Sequence, residues 1–181
     1  MNIVEPIRNK DKLKEIEKIL EKQSQRNLLL FDMGINFGLR ISDILALDVI
    51  DVKERDFILL NEKKTGKFKK IHINFKIKSL LKKYTENKSP HEPLFKTKFK
   101  NRMDRITAYR IINKACKLAN INTNIGTHTL RKTFGYHFYK EYKDVAILQK
   151  ILNHSSPTIT MRYIGIEQEE IDELYNKFVL R

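Results

Sequence analysis

Two histidines, two arginines, a lysine and a tyrosine carry the chemistry open to this chain. His128-Thr129-Leu130-Arg131 sets a histidine and an arginine three apart, which on a helix is one face, one turn apart. His154 follows an apolar stretch, and Tyr163 closes Thr158-Ile159-Thr160-Met161-Arg162-Tyr163. Upstream, Gly38-Leu39-Arg40-Ile41-Ser42-Asp43 adds a second arginine, and Lys63-Lys64-Thr65-Gly66-Lys67 offers a lysine in a tight turn. These side chains suit metal-free attack on a phosphodiester. Such a reaction builds charge on the equatorial oxygens, so catalysis is mostly positioning and electrostatic stabilisation. Arginine reaches two oxygens with one planar fork and stays charged. Histidine titrates near neutrality and moves protons. Tyrosine is a covalent nucleophile once its proton has an acceptor, and lysine can protonate a departing alkoxide.

Taken with their order and spacing, these segments resemble the tyrosine recombinase (phage integrase) family, specifically its catalytic domain. Gly38-Leu39-Arg40-Ile41-Ser42-Asp43-Ile44-Leu45 is similar to the family's first arginine box, and the lysine-rich turn to its β-hairpin. His128 to His137 is similar to the His-x-x-Arg box, and Leu152 to Tyr163 to the closing box. The resemblance implies that Arg40 and Arg131 clamp the scissile phosphate. It also implies that Lys64 protonates the leaving oxygen, His128 takes the tyrosine proton, His154 bonds the phosphoryl oxygens and Tyr163 attacks. Asn153 departs from the pattern, standing where the family usually has glycine, and Pro157 interrupts the run after Ser155-Ser156. The resemblance also implies a double-stranded DNA substrate, no cofactor and no metal. It points to a homo-oligomer, a tetramer on DNA, with the C-terminal helix docked into a neighbouring subunit and an accessory protein as a further partner; the residues of that helix alone leave packing on its own domain equally open. The whole chain, 1–181, reads as a single catalytic domain, with the family's separate N-terminal core-binding domain absent. Rival readings are a DNA-binding regulator or accessory factor on the same fold, without strand exchange, and a relaxing topoisomerase.

Composition agrees with a polyanionic partner. The formal net charge is +14 and the sequence pI about 9.8; neutralising phosphates would release counterions. The charge is clustered. Lys63, Lys64, Lys67, Lys69 and Lys70 crowd the hairpin, and Lys96, Lys98, Lys100, Arg102 and Arg105 crowd a later loop and helix start. Of these, Lys63, Lys67, Lys69, Lys70, Lys98, Lys100 and Arg102 are the candidate DNA contacts. No lipidation motif, signal peptide or spanning apolar run points to a membrane, and one cysteine, Cys116, allows no disulfide framework. A reducing, cytoplasmic setting is expected.

The elements that must position these residues read as mainly α with a small antiparallel β-sheet (α+β). Periodicity predicts helices over 9–25, 26–37, 41–47, 75–84, a start at 102 or 104 running to 119, 144–152 and 167–178. A further helix begins near an N-cap at Thr127, with Leu130, Phe134 and Phe138 inward. Strands are predicted at 57–60 and 70–74, flanking Thr65-Gly66. Ile106, Tyr109, Ile112 and Cys116 are expected in the core. Asp43, one turn beyond Arg40, reads as its brace. His72, His91 and His137 are expected to stay outside the site.

Overall fold

The computed structural model describes residues 4–126 and 128–180. The cap expected at Thr127 lies outside them. Helix α1 (Lys10–Gln23) starts on Asn9, whose side chain accepts from the backbone N–H groups of Asp11 and Lys12, and buries Ile16 and Leu20. Ser24 ends α1 in extended conformation and caps α2 (Gln25–Phe37) through the Asn27 N–H. Helix α2 is buried nearly all round and forms the spine of the domain, with Leu28 to Phe31, Met33 and Phe37 in the core and the buried Asp32 paired with Lys76. It stops at Gly38, where two conditions meet. The backbone is left-handed (φ 60°), and a Cβ there would lie 2.5 Å from the Phe134 ring.

Helix α3 (Ile41–Ile44) ends earlier than the predicted Leu47. The carbonyls of Leu45, Ala46 and Leu47 instead accept from one guanidinium nitrogen of Arg102, at 2.9, 2.7 and 3.1 Å. The cation takes over bonds that a longer helix would have made internally. Strands β1 (Phe57–Asn61) and β2 (Phe68–His72) pair antiparallel, from Phe57↔His72 to Asn61↔Phe68. Alternation turns Ile58 fully inward and leaves Phe57, Leu59, Phe68, Lys70 and His72 on the outer face. Helix α4 (Phe75–Thr85) follows, then a loop containing Pro90 and Pro93, then α5 (Arg105–Leu118), capped by Asp104.

The expected core of α5 is half right. Ile112 and Cys116 are buried, but Ile106 is 60% and Tyr109 38% exposed. Ala108 and Ala115 share the inward face with Ile112 and Cys116, so close approach through alanines sets the helix's rotation. Burial pushes the Cys116 thiol up to about 12, the property of an inert packing residue.

Helices α6 (Thr129–Tyr142), α7 (Val145–Leu152) and α8 (Pro157–Ile164) form a second, smaller core from Tyr136, Leu148, Leu152, Ile164 and Ile166. Phe134 and Phe138 are only partly buried and pack on it, whereas Leu130 joins the larger core. Pro157, an apparent interruption in sequence, is the first residue of α8, where its missing N–H costs nothing. Helix α9 (Glu167–Lys177) leans on α6 through Glu169–Lys140 (2.8 Å), leaving Ile171, Tyr175 and the following Phe178 exposed. Among the described residues no helix is long and apolar enough to cross a membrane.

Candidate active site

The site lies at the seam between the two cores, and Arg131 stitches it. This arginine is 2% exposed. One of its nitrogens donates to the Gly38 carbonyl at 2.7 Å, where α2 ends, and another to the Leu152 carbonyl, where α7 ends. Two helix C-termini therefore aim their unpaired carbonyls and negative dipole ends at one guanidinium, which fixes its plane. Arg40 stands on the extended residue that caps α3, with its side chain 16% exposed.

Between the arginines lies a carboxylate that the reading above does not single out. Glu62 is 1% exposed. Its oxygens lie 2.9 Å from Arg40, 3.0 Å from Lys69 and 3.9 Å from Arg131. It also accepts from Thr65 Oγ1 (2.7 Å) and Asn153 Nδ2 (3.0 Å). Burial pushes the Glu62 carboxyl up. The bonds from Asn153 and Thr65 and the cations Lys69 and Arg40 overcome burial and hold it at about 2. Glu62 thus stays charged and offsets three cations that would otherwise repel one another.

Glu62, rather than Asp43, is the carboxylate paired with Arg40. Asp43 is buried and turns one oxygen to the Lys63 backbone N–H at 3.0 Å, so it secures the base of the hairpin turn and not the guanidinium. One acidic residue in a run of lysines was the available signal. Glu62 also continues the inward parity of Ile58 and Leu60, and a buried charge requires partners.

Tyr163, on α8, lies over this floor. Its hydroxyl is 3.2 Å from His128 Nδ1, and the His154 ring packs against its ring edge-on at 4.8 Å. Burial raises the phenol above its ordinary range, although Arg131 and Arg40 pull the other way, so the nucleophile needs a base. His128 can serve. Burial, and then the charges of Arg131, Arg40, Lys132 and Lys64, hold it below the usual imidazole range, so it is neutral at pH 7 with a lone pair to offer. Burial and the charges of Arg131, Arg40 and Lys69 take His154 down to about 4. Its Nδ1 pairs with Thr160 Oγ1 at 3.1 Å, leaving Nε2 for a ligand. Lys64 is exposed in the turn between β1 and β2, close enough for its charge to act on His128. Gly66 gives that turn its left-handed step (φ 67°).

The candidate DNA contacts divide. Lys63, Lys70, Lys98 and Lys100 are exposed. Lys67 is exposed but bonds Asn153 Oδ1 at 2.8 Å. Lys69 turns inward, paired with Glu62 and donating to the Ile151 carbonyl, because β2 alternation puts it on the Ile71 side. Arg102 holds the end of α3 and pairs with Asp48 at 2.6 Å. Neither is available for a backbone contact without breaking those bonds. His72 is exposed against Phe57, His91 lies in the proline loop, and His137 bonds the Ile7 carbonyl, so none joins the site. The hydroxyl of Tyr109, on α5, accepts from Asn113 at 3.2 Å.

Comparison with known proteins gives the family and the fold. The phage integrase family model matches residues 8–170. Probable integrase/recombinase YoeC of Bacillus subtilis (strain 168) is 48% identical over 179 residues, covering 98% of both chains. A tyrosine recombinase of Pseudothermotoga lettingae is 29% identical over 170 residues, 91% of this chain but 59% of that one, so this chain spans about three fifths of that relative. The fold is similar to the crystal structure of XerA recombinase, with a TM-score of 0.78, 22% identity and coverage of 100% of this chain and 67% of that chain. The four boxes, the seam that collects them and these likenesses lead to one assignment: the chain belongs to the phage integrase family, the tyrosine-type site-specific recombinases.

Proposed function

We propose that this protein cuts and rejoins duplex DNA through a covalent link to Tyr163. The observation that carries the reading is the tyrosine hydroxyl at 3.2 Å from a neutral His128, over Arg131. A phosphodiester entering there meets Arg40 and Arg131 on its non-bridging oxygens; its negative charge favours a proton on His154 Nε2, which then donates to an oxygen beside them. Tyr163 Oη attacks phosphorus and gives its proton to His128. The bond from phosphorus to the 5′-oxygen breaks, and that oxygen takes a proton from Lys64. The products are a 3′-phosphotyrosyl strand and a free 5′-hydroxyl. The phosphotyrosine keeps the bond energy, so a second 5′-hydroxyl reverses each step and rejoins the strand. No nucleotide is consumed, and positioned cations supply the charge stabilisation.

Exposed Lys63, Lys70, Lys98 and Lys100 are the proposed phosphate contacts. Residues 1–181 act as one catalytic domain in the cytoplasm. The exposed Ile171, Tyr175 and Phe178 around α9 are the proposed seat for a neighbouring copy in a DNA-bound oligomer. An accessory protein would complete the assembly. A regulator without strand exchange would have no use for a phenol poised on a base. Incubation with a nicked duplex that traps the covalent product, followed by a denaturing gel, tests the reading. A Tyr163-dependent adduct is expected; no adduct at any DNA concentration would overturn it.

A further inference from the structure

We infer that Asn153 is a positioning residue, a latch that holds the Lys64 turn against the end of α7. The inference rests on the recombinase reading above. Asn153 stands in the left-handed region (φ 55°, ψ 45°), where glycine is the unstrained choice and asparagine is tolerated. Something must offset that strain, and the side chain shows what. Its Nδ2 donates to Glu62 Oε2 at 3.0 Å and to Thr65 Oγ1 at 3.3 Å, and its Oδ1 accepts from Lys67 Nζ at 2.8 Å. The amide orientation follows from chemistry: ammonium has nothing to accept with, and carboxylate nothing to donate. Every one of these contacts crosses to the hairpin turn, and residues 62, 65 and 67 bracket Lys64.

The turn closes on itself through the Glu62 N–H to the Lys67 carbonyl (3.0 Å) and the Thr65 and Gly66 N–H groups to the Glu62 carbonyl (3.3 and 2.8 Å). Glu62 anchors its start on Arg40 (2.9 Å); past Lys64, Thr65 and Lys67 are tied to another element through Asn153. Lys63, Lys64, Thr65, Gly66 and Lys67 are exposed, and a Cβ on Gly66 would meet nothing within 4 Å. Asp43 secures the turn's first residue through the Lys63 N–H, before Lys64. The amide of Asn153 secures it after Lys64. The residue next to Asn153 is His154, so the latch also sets the hairpin against the loop that bears the second histidine. A long flexible lysine delivers its proton efficiently only if the backbone beneath it is already in place.

The test uses single-turnover cleavage of a nicked duplex carrying either the normal 5′-bridging oxygen or sulfur, which leaves without a proton. Asn153→Gly keeps the backbone unstrained and removes the latch; Asn153→Asp keeps the shape and sets a carboxylate against Glu62. Both variants should cleave the oxygen substrate roughly 10- to 100-fold more slowly, the scale of a small misplacement, with DNA affinity nearly unchanged. Both should approach the wild-type rate on the sulfur substrate. In a Lys64→Ala background, Asn153→Gly should add little. Amides 62–67 should exchange with deuterium faster in both variants, whether or not DNA is cut. Wild-type speed on the oxygen substrate, an equal loss on sulfur, additivity with Lys64→Ala, or unchanged exchange in the turn would overturn the latch. Failure of the wild type to form any adduct would overturn the recombinase reading instead, and the exchange result would still decide whether the latch exists.

Discussion

Replacing Glu62 by glutamine removes one charge and almost no volume, and the structure allows the cost to be worked out. A carboxyl held at about 2 rather than the ordinary 4.5 binds its proton roughly 300-fold more weakly in the folded chain, worth about 3 kcal/mol of stability at neutral pH. A separate route gives the same scale: removing one partner of a buried ion pair costs about 3–5 kcal/mol. For a chain of this length that is a fall of roughly 6–12 °C in melting temperature. The sign of the pH dependence is fixed by the depressed value. The contribution is complete above about pH 5 and is lost as pH falls from 4.5 toward 2, with about 2 kcal/mol gone by pH 3. Glutamine does not titrate there, so denaturant unfolding of the two proteins should differ by about 3 kcal/mol at pH 7 and converge as pH drops below 4.5. A difference under about 1 kcal/mol at pH 7, or one that stays constant on acidification, would refute the placing of Glu62 as the charged centre of the cation cluster.

Other outcomes follow from the same geometry. Lys64→Ala should slow cleavage of normal DNA far more than it weakens binding, and a 5′-bridging sulfur substrate should restore the rate; no relief would return Lys64 to the phosphate contacts. Because His128 is held below the usual imidazole range, cleavage at subsaturating DNA should keep its pH 7 rate down past about pH 6.5 and fall only in more acid solution. A drop centred above that value would contradict a neutral His128 as base. Alanine at Lys70, Lys98 or Lys100 should lower the slope of log affinity against log salt by up to about 0.9 each where the lysine meets a phosphate. Arg102→Ala should leave that slope unchanged while destabilising the fold by about 1–3 kcal/mol, read by denaturant titration.

The sequence carried the boxes because each is a local device. Gly38 ends a buried helix and hands the chain to Arg40. Ser156-Pro157 starts the helix that presents Tyr163. The spacing of His128 and Arg131 survives, although His128 stands at the cap position and Arg131 inside the helix. Local signals failed where a partner from elsewhere decides the outcome. The helix expected through Leu47 stops at Ile44 because Arg102, more than fifty residues away, claims its carbonyls. The face of α5 is set by what lets a backbone come close, so alanines are buried where Ile106 and Tyr109 were the larger apolar candidates.

The hairpin shows most clearly what a count of charges misses. As composition, five lysines and one glutamate are a basic patch with an impurity. As a strand pattern they are two sets. Counting in twos from Ile58 reaches Leu60 and Glu62; counting back from Ile73 reaches Ile71 and Lys69. Parity therefore sends one acid and one base inward from a turn whose other lysines face solvent. What parity cannot supply is the remainder of the node: Arg40, Arg131 and Asn153 arrive from three other segments, Asn153 from 91 positions along the chain. A charge sent inward by local pattern must be met by something. An asparagine left in a glycine's conformation must gain something for the strain. Each of these two oddities accounts for the other, and their meeting point lies under the groups that would hold the phosphate.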